Sequence, residues 1–441
     1  MSEPSPETPS PHHAIAGVAI LVGLLLQVLG FAGLSPSPHL VGYALWLATL
    51  LLWRDIPRRT RWQAGALVVI GLGMLLTARW RYDASLDWPA LLDGNTYVVA
   101  MLVGVSFIGL IGNRRQGRPL GRAVTGAPGT AGTWLGVHLL GTILNLSTVF
   151  MIGDRLARRG PLTLPQLLAL NRGLSSAALW SPFFASMGVV MTLAPGMDYL
   201  HVLAVGLPLA LAAGLLTVTE LSRRFDLATV AGFSLSPRNL LMPVTMAALV
   251  MLFHYVLTPA LSIVSIITFL LPAAALVTNL PAGTRWTLGR VRQHTLTRLP
   301  AMRGEIALFL CAGLLTLGLS TLIAAATGSE WTLFARFGAG EAILSFLGIV
   351  ASAIAGLHPI IGVSVLASML DLEGSRQTLF AFVALASWAV GTSVGPLSGI
   401  NLSLQGRYGV SGYRMMKHNL GYAIVMAGLV TGGILILDAW L

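Results

Sequence analysis

Asn145, Ser147 and Thr148 fall in the tetrapeptide NLST, where the apolar stretch TWLGVHLLGTILNLSTVFMIG loses its hydrophobic continuity. A second polar group, Thr392, Ser393, Ser398 and Asn401, sits in GTSVGPLSGIN, and a smaller one, Ser181 and Ser186, in WSPFFASMG. Neutral hydroxyls and amides among Gly and Pro, which leave backbone N–H and C=O groups unpaired, are the groups that hold a desolvated ion or small solute. The same side chains can instead only cap helix ends and satisfy the backbone of a turn. His358, beside Pro359 in AGLHP, is the side chain here best suited to titrate near neutral pH. It could couple protons, donate to a solute, or simply hydrogen-bond a carbonyl. Arg172 lies well inside an apolar run, where an unpaired charge is expensive. It could balance an anionic solute, pair with a carboxylate such as Asp154, or sit near the interface and snorkel. Asp154 could carry protons or be merely interfacial.

Other chemistries lack their residues. No glycine-rich phosphate loop precedes a Lys-Ser/Thr pair, and Lys417 is the single lysine, so ATP-driven transport within this chain is not expected. His12, His13, His138, His254, His294, His418 and the lone Cys311 form no metal-ligand spacing, so no metal site and no bound cofactor is expected. SLQGRYG holds no nucleophile elbow.

The elements that must position these residues follow from composition. Of 441 residues, 55% are hydrophobic and 10% charged, with a mean hydropathy of +0.79. Soluble domains carry about 25% charge, so this is the composition of an integral membrane protein. Apolar runs of roughly 18 to 22 residues recur from Ala14 onward, each long enough to cross a hydrocarbon layer. The net charge of +11 sits in arginines between those runs, which is the positive-inside pattern and not a nucleic-acid footprint. RDIPRRTR, NRRQGRPLGR, ELSRRFD and TRWTLGRVRQHTLTRLPAMR therefore read as cytoplasmic loops, with a cytoplasmic N-terminus and the C-terminus outside.

A single crossing over the NLST run would carry the three arginines of DRLARRG outside. A re-entrant hairpin turning at 144–148 avoids this, and a second hairpin is expected to turn at 355–359. The run LPQLLALNRGLSSAALWSPFFASMGVVMTLAPG is too long for one straight span and is broken at Pro182, as the run from about Thr378 to Tyr408 is broken at GTSVGPLSGIN. Three spans, a hairpin, a broken helix and a span thus occur twice, in opposite orientations. The expected architecture is an all-α integral membrane protein of about eleven transmembrane helices in two inverted repeats. Its parts are a disordered cytoplasmic tail (1–13), an extra N-terminal helix (14–39), repeat 1 (40–220), a cytoplasmic linker (221–239) and repeat 2 (240–441).

This layout, with the NLST tip and the Ser/Thr/Asn/Gly/Pro breaks, resembles the ion transporter superfamily, which includes arsenite, citrate and dicarboxylate/sulfate carriers. In its dicarboxylate members each tip carries Ser-Asn-Thr; NLST is similar in residue type, and the second tip reads GLHP instead. The resemblance implies a secondary carrier working by alternating access, often for anions, whose scaffold often dimerises. The reading is a transporter of a small, anionic solute in the cell inner or plasma membrane, coupled to Na⁺ or H⁺ and not itself an enzyme. Its partners are the solute and the lipid bilayer, with a homodimer by analogy. The rivals are a membrane-embedded enzyme using His358 as base, an anion channel, or a non-transporting subunit.

Overall fold

The computed structural model describes residues 10–35, 37–111, 124–235, 237–328 and 331–441. Most of the expected tail, over 1–9, and the stretch NRRQGRPLGR lie outside the described residues. The chain is almost wholly helical. In order come α1 (Pro11–Phe31), α2 (His39–Leu51), α3 (Arg58–Tyr82), α4 (Thr96–Ser106), α5 (Gly126–Leu144), α6 (Ser147–Ala157) and α7 (Leu164–Ala177). Then follow α8 (Ala185–Leu193), α9 (Tyr199–Arg224), α10 (Pro237–Leu252), α11 (Ile263–Asn279), α12 (Thr284–Gln293) and α13 (Leu299–Ala301). The last six are α14 (Arg303–Thr327), α15 (Ala339–Ile354), α16 (Pro359–Ala367), α17 (Arg376–Val394), α18 (Gly399–Tyr408) and α19 (Gly412–Trp440). Among the described residues eight helical stretches are long and apolar enough to cross a membrane, and three shorter ones, His39–Leu51, Val244–Leu257 and Ala339–Ile354, are apolar.

Three departures from the sequence reading have local causes. The first helix begins at Pro11, inside the expected tail, because proline at the first helical positions lacks only an N–H that would be orphaned anyway. The basic segment expected as a loop between the spans at 263–279 and 303–327 is itself helical, as α12, a π-helical turn over His294–Arg298, and α13. Its arginines alternate with Trp286, Leu288 and Val291, so the charge pattern hid a helix. Against the all-α expectation, two-residue strands β1 (Val124–Thr125) and β2 (Ala231–Gly232) pair antiparallel. Glycine permits that pairing: a Cβ on Gly232 would lie 1.8 Å from the Gly129 carbonyl oxygen.

The helices form two compact units, each drawn from both halves of the chain: Met1–Gln116 with Val250–Ala326, and Gly117–Leu249 with Thr327–Leu441. In the first unit α1 packs on α2 and α4 on α11, and α3 meets α14 where a Cβ on Gly71 would touch the Leu314 carbonyl oxygen at 2.9 Å. Small residues let backbones approach where apolar burial gives helices no preference for one another over lipid. In the second unit α5 packs on α7 and α15 on α17, and α17 runs through the middle against α7, α8, α9 and α19. Every residue of α17 from Thr378 to Val394 is buried.

Candidate functional site

The second unit contains two helix-turn-helix tips and two interrupted helices. At the first tip α5 ends at Leu144 and α6 begins at Ser147, with Asn145 at φ +50° making the reversal. At the second, α15 ends at Ile354 and α16 begins at Pro359, with Gly356 at φ +105°. The first interruption runs from Ala178 to Phe184, between α7 and α8; Pro182 within it has no N–H to give a helix. The second spans Gly395 to Ser398, between α17 and α18. Each tip and each interruption therefore brings together one helix C-terminus and one helix N-terminus, with partial charges of both signs.

Each tip is fastened to an interruption. Asn145 Nδ2 donates to the Phe183 carbonyl at 3.2 Å, and Ser181 Oγ donates to the Thr142 carbonyl at 2.7 Å. On the other side a Cβ on Gly395 would lie 3.0 Å from the Ala353 carbonyl oxygen, and one on Gly356 would lie 3.1 Å from Leu397. The two interruptions are joined through asparagine. Asn171 on α7 donates to Asn401 Oδ1 at 2.9 Å, and Asn419 on α19 donates to Asn171 Oδ1 at 3.3 Å and to the Ser393 carbonyl at 2.8 Å. Asn401 Nδ2 closes on the Gly395 carbonyl at 2.9 Å.

The residues singled out from sequence divide into two sets. Ser398 caps α18, accepting the Asn401 N–H and donating to the Thr392 carbonyl at 2.7 Å. Thr392 donates to the Trp388 carbonyl and Ser393 to the Val390 carbonyl, both within α17. With Ser181 and Asn401, these groups satisfy the interrupted backbone. His358 caps α16, its Nδ1 accepting the Ile360 N–H at 3.2 Å, while its ring meets Trp388 edge-on at 5.1 Å. It caps with a ring nitrogen as acceptor and does not bond a carbonyl. Ser147 occupies the first position of α6 and is half-buried. Thr148 and Ser186 are different: both are 0% exposed, and neither hydroxyl has a hydrogen-bond partner, nor does Asn145 Oδ1. A buried polar group without a partner costs about 1–3 kcal/mol, which sets these three oxygens apart from the capping groups around them.

Arg172 pairs with neither Asp154 nor the interface. It is 0% exposed, and its NH1 donates to Glu220 Oε2 on α9 at 2.7 Å, its Nε to Asn419 Oδ1 at 2.8 Å and its NH2 to the His418 carbonyl at 3.2 Å. Its guanidinium also lies 4.4 Å from the centre of the Tyr422 ring. A planar fork meets three acceptors at once, which a flexible chain reaching for water could not do. Asp154 instead takes Arg407 Nε at 3.0 Å and NH2 at 2.6 Å, with Tyr408 Oη at 3.0 Å, tying α6 to the end of α18.

Several members of this network were not singled out from sequence. Glu220 falls in ELSRRFD, which reads as a loop because the apolar pattern of α9 stops short of the helix end, and Asn419 stands in the polar first part of α19; the Glu220–Arg224 spacing of four was the available signal. Ser364 on α16 and Ser387 on α17 are buried with unpartnered hydroxyls. A lone serine in an apolar helix gives no sequence signal, since it ordinarily bonds its own helix. Their helices pack on each other and on α8, which carries Ser186. At its outer end the arrangement is braced by Asp198, whose carboxylate caps α9 and whose N–H donates to Thr378 Oγ1 at 2.9 Å. The His201 side chain beside it holds the Asp198 carboxyl below the ordinary carboxylate range.

These features define a mostly helical, multi-pass membrane protein with several of its buried polar groups at tips and interruptions of its helices. No family model matches the chain, and no curated protein matches it. A solved structure described as "Crystal structure of the Alcanivorax borkumensis YdaH transporter reveals an unusual topology" is similar at a TM-score of 0.39 and 16% identity, over 92% of this chain and 98% of that one. A similarity of that size carries no conclusion about solute, coupling ion or mechanism.

Proposed function

We propose that the protein is a secondary active transporter of a small anionic solute, coupled to Na⁺ or H⁺, in the cell inner or plasma membrane. In this reading the two tips are re-entrant hairpins and the two halves are inverted repeats. One observation carries it: the buried, unpartnered oxygens of Asn145, Thr148, Ser186, Ser364 and Ser387 lie on the helices that form the tips and interruptions. Beside them the interrupted backbone offers further N–H and C=O groups to an ion or small solute.

The geometry also says which groups can recognise charge. Arg172 and Arg224 share the single Glu220 carboxylate, and in this reading Arg172 remains available as a charge partner for an anion. Anion recognition otherwise falls to backbone N–H groups and hydroxyls at the N-termini of α6, α8, α16 and α18. Neutral oxygens such as Asn145 Oδ1 suit Na⁺, and His358, whose Nδ1 accepts the Ile360 N–H, carries its ring proton on Nε2 and can donate it to a solute. Alternating access then requires the tips to open and close around fixed solute contacts.

The test is a thermal-shift screen of purified protein against carboxylates, oxyanions and amino acids, with and without Na⁺ and across pH. Uptake of any stabilising solute into proteoliposomes under Na⁺ and pH gradients follows. Stabilisation by an anion together with gradient-driven uptake supports the reading. Stabilisation without transport in sealed vesicles, or chemical conversion of the solute in detergent, sinks it.

A further inference from the structure

A second group of ligating side chains lies in the first compact unit. His12 and His13 stand in the first turn of α1, and Asp55 ends the short 3-10 turn Trp53–Asp55 that follows α2. The histidines are separated from Asp55 by 43 and 42 positions, so no local spacing announces the set. Yet both imidazole Nε2 atoms lie 2.9 Å from the same carboxylate oxygen, Asp55 Oδ2. The three donor atoms all fall within 4.8 Å of one another.

We propose that His12, His13 and Asp55 bind a divalent transition metal of the zinc class, with water or a small solute completing its coordination. Zn–N bonds of about 2.0–2.1 Å and Zn–O bonds of about 2.0–2.2 Å in a tetrahedron put neighbouring ligand atoms roughly 3.3–3.5 Å apart. Separating each His–Asp pair by a few tenths of an ångström, and bringing the two imidazole nitrogens, which lie within 4.8 Å of each other, to the same spacing, forms that site. The rings are 4.6 Å apart and inclined at 59°, so they approach Asp55 from different directions and do not stack. Two imidazole nitrogens with one carboxylate select Zn²⁺ and its neighbours over Mg²⁺ or Ca²⁺, which take oxygen.

Asp55 is held in place from behind. Arg303 Nε donates to its backbone carbonyl at 2.7 Å, and its own N–H donates to the Leu52 carbonyl at 2.9 Å. The side chains of His12, His13 and Asp55 are 46%, 33% and 34% exposed, which leaves a face open to a fourth ligand. A metal there would clamp the start of α1 to the turn between α2 and α3.

The full chain, prepared without a polyhistidine tag and stripped with chelator in detergent, is titrated with Zn²⁺ by calorimetry and with Co²⁺ by visible absorption. Saturable binding of Zn²⁺, a higher melting temperature, and the ligand-field bands of four-coordinate Co²⁺ are expected. His12→Ala and Asp55→Asn should each weaken Zn²⁺ binding at least about tenfold, whereas His39→Ala, which touches only the separate His39–Asp93 pair, should leave it unchanged. No Zn²⁺ binding, or affinity unaltered in His12→Ala, overturns the proposal. Should Asp55→Asn not fold, the half-exposed His12→Ala decides.

Discussion

Removing the Arg172 guanidinium would leave Asn419 Oδ1 without its donor and the Glu220 carboxylate and His418 carbonyl with Arg224 alone. Glu220 is 23% exposed and stays paired with Arg224, so the loss falls mainly on the buried Asn419 oxygen, and Arg172→Met is expected to destabilise the purified protein by about 1–3 kcal/mol, read as a lower melting temperature. Arg172→Lys should recover little of the loss, because an ammonium cannot serve three acceptors in one plane. A melting temperature within experimental error of the native value would show the network to be dispensable. Thr148 makes the opposite case. Its hydroxyl is buried without a partner, so Thr148→Val removes a desolvation penalty and should leave stability unchanged or raise it by about 1 kcal/mol. If the hydroxyl is a ligand, solute-driven uptake should fall at least tenfold in the same variant. A lower melting temperature with uptake unchanged would reverse both roles.

At the scale of elements, the second interruption is held open by what packs on it. A Cβ on Gly412, the first residue of α19, would lie 2.0 Å from the Pro396 carbonyl oxygen. Backbone cannot yield there without moving α19 away from the interruption, so Gly412→Ala is expected to destabilise by about 1–3 kcal/mol. It should also release the Asn419 bond to the Ser393 carbonyl, seen as faster amide exchange in 391–401. Gly428→Ala, on the same helix with open space around it, is the control and should be neutral or slightly stabilising. Equal behaviour of the two variants would mean that the close approach does not govern the interruption.

For the whole molecule, stability should vary with pH through His294, in the helical segment between α12 and α13. It is 7% exposed, lies 2.9 Å from Ser106 Oγ, and burial depresses its pKa from 6.5 to about 4, with Arg298 and Arg290 adding to the shift. A histidine depressed in the folded state stays neutral there while the unfolded chain takes up a proton. Its contribution is therefore complete above pH 6.5 and is lost as pH falls toward 4, by on the order of 2–3 kcal/mol. Melting temperatures between pH 7 and 4 should show this slope in the native chain and a shallower one in His294→Gln. Parallel curves would assign the acid sensitivity elsewhere. Orientation in the membrane is tested separately: in a Cys311→Ala background, single cysteines at 155–160 should label from the cytoplasmic side only. Labelling from outside would remove the first re-entrant hairpin from the proposed mechanism.

Composition alone determined that the chain is helical and built for a bilayer, because 10% charge leaves no soluble alternative. Local chemistry also located several helix ends: helices stop at Asn145, Pro182, Gly395 and Pro396, where Asn, Pro or Gly stands beside polar groups, while the isolated Pro208 and Pro272 stay inside helices. Such signals are read within a few residues, so no partner need be known. Only the tertiary structure decided that Arg172 meets Glu220 and not Asp154, that Asn171, Asn401 and Asn419 join three helices, and that Asp55 completes a pair of histidines. The physical reason is that an apolar helix announces its length but not which face turns to which neighbour. Whether Thr148 and Ser398 end with or without a hydrogen-bond partner depends on atoms that other parts of the chain bring to them.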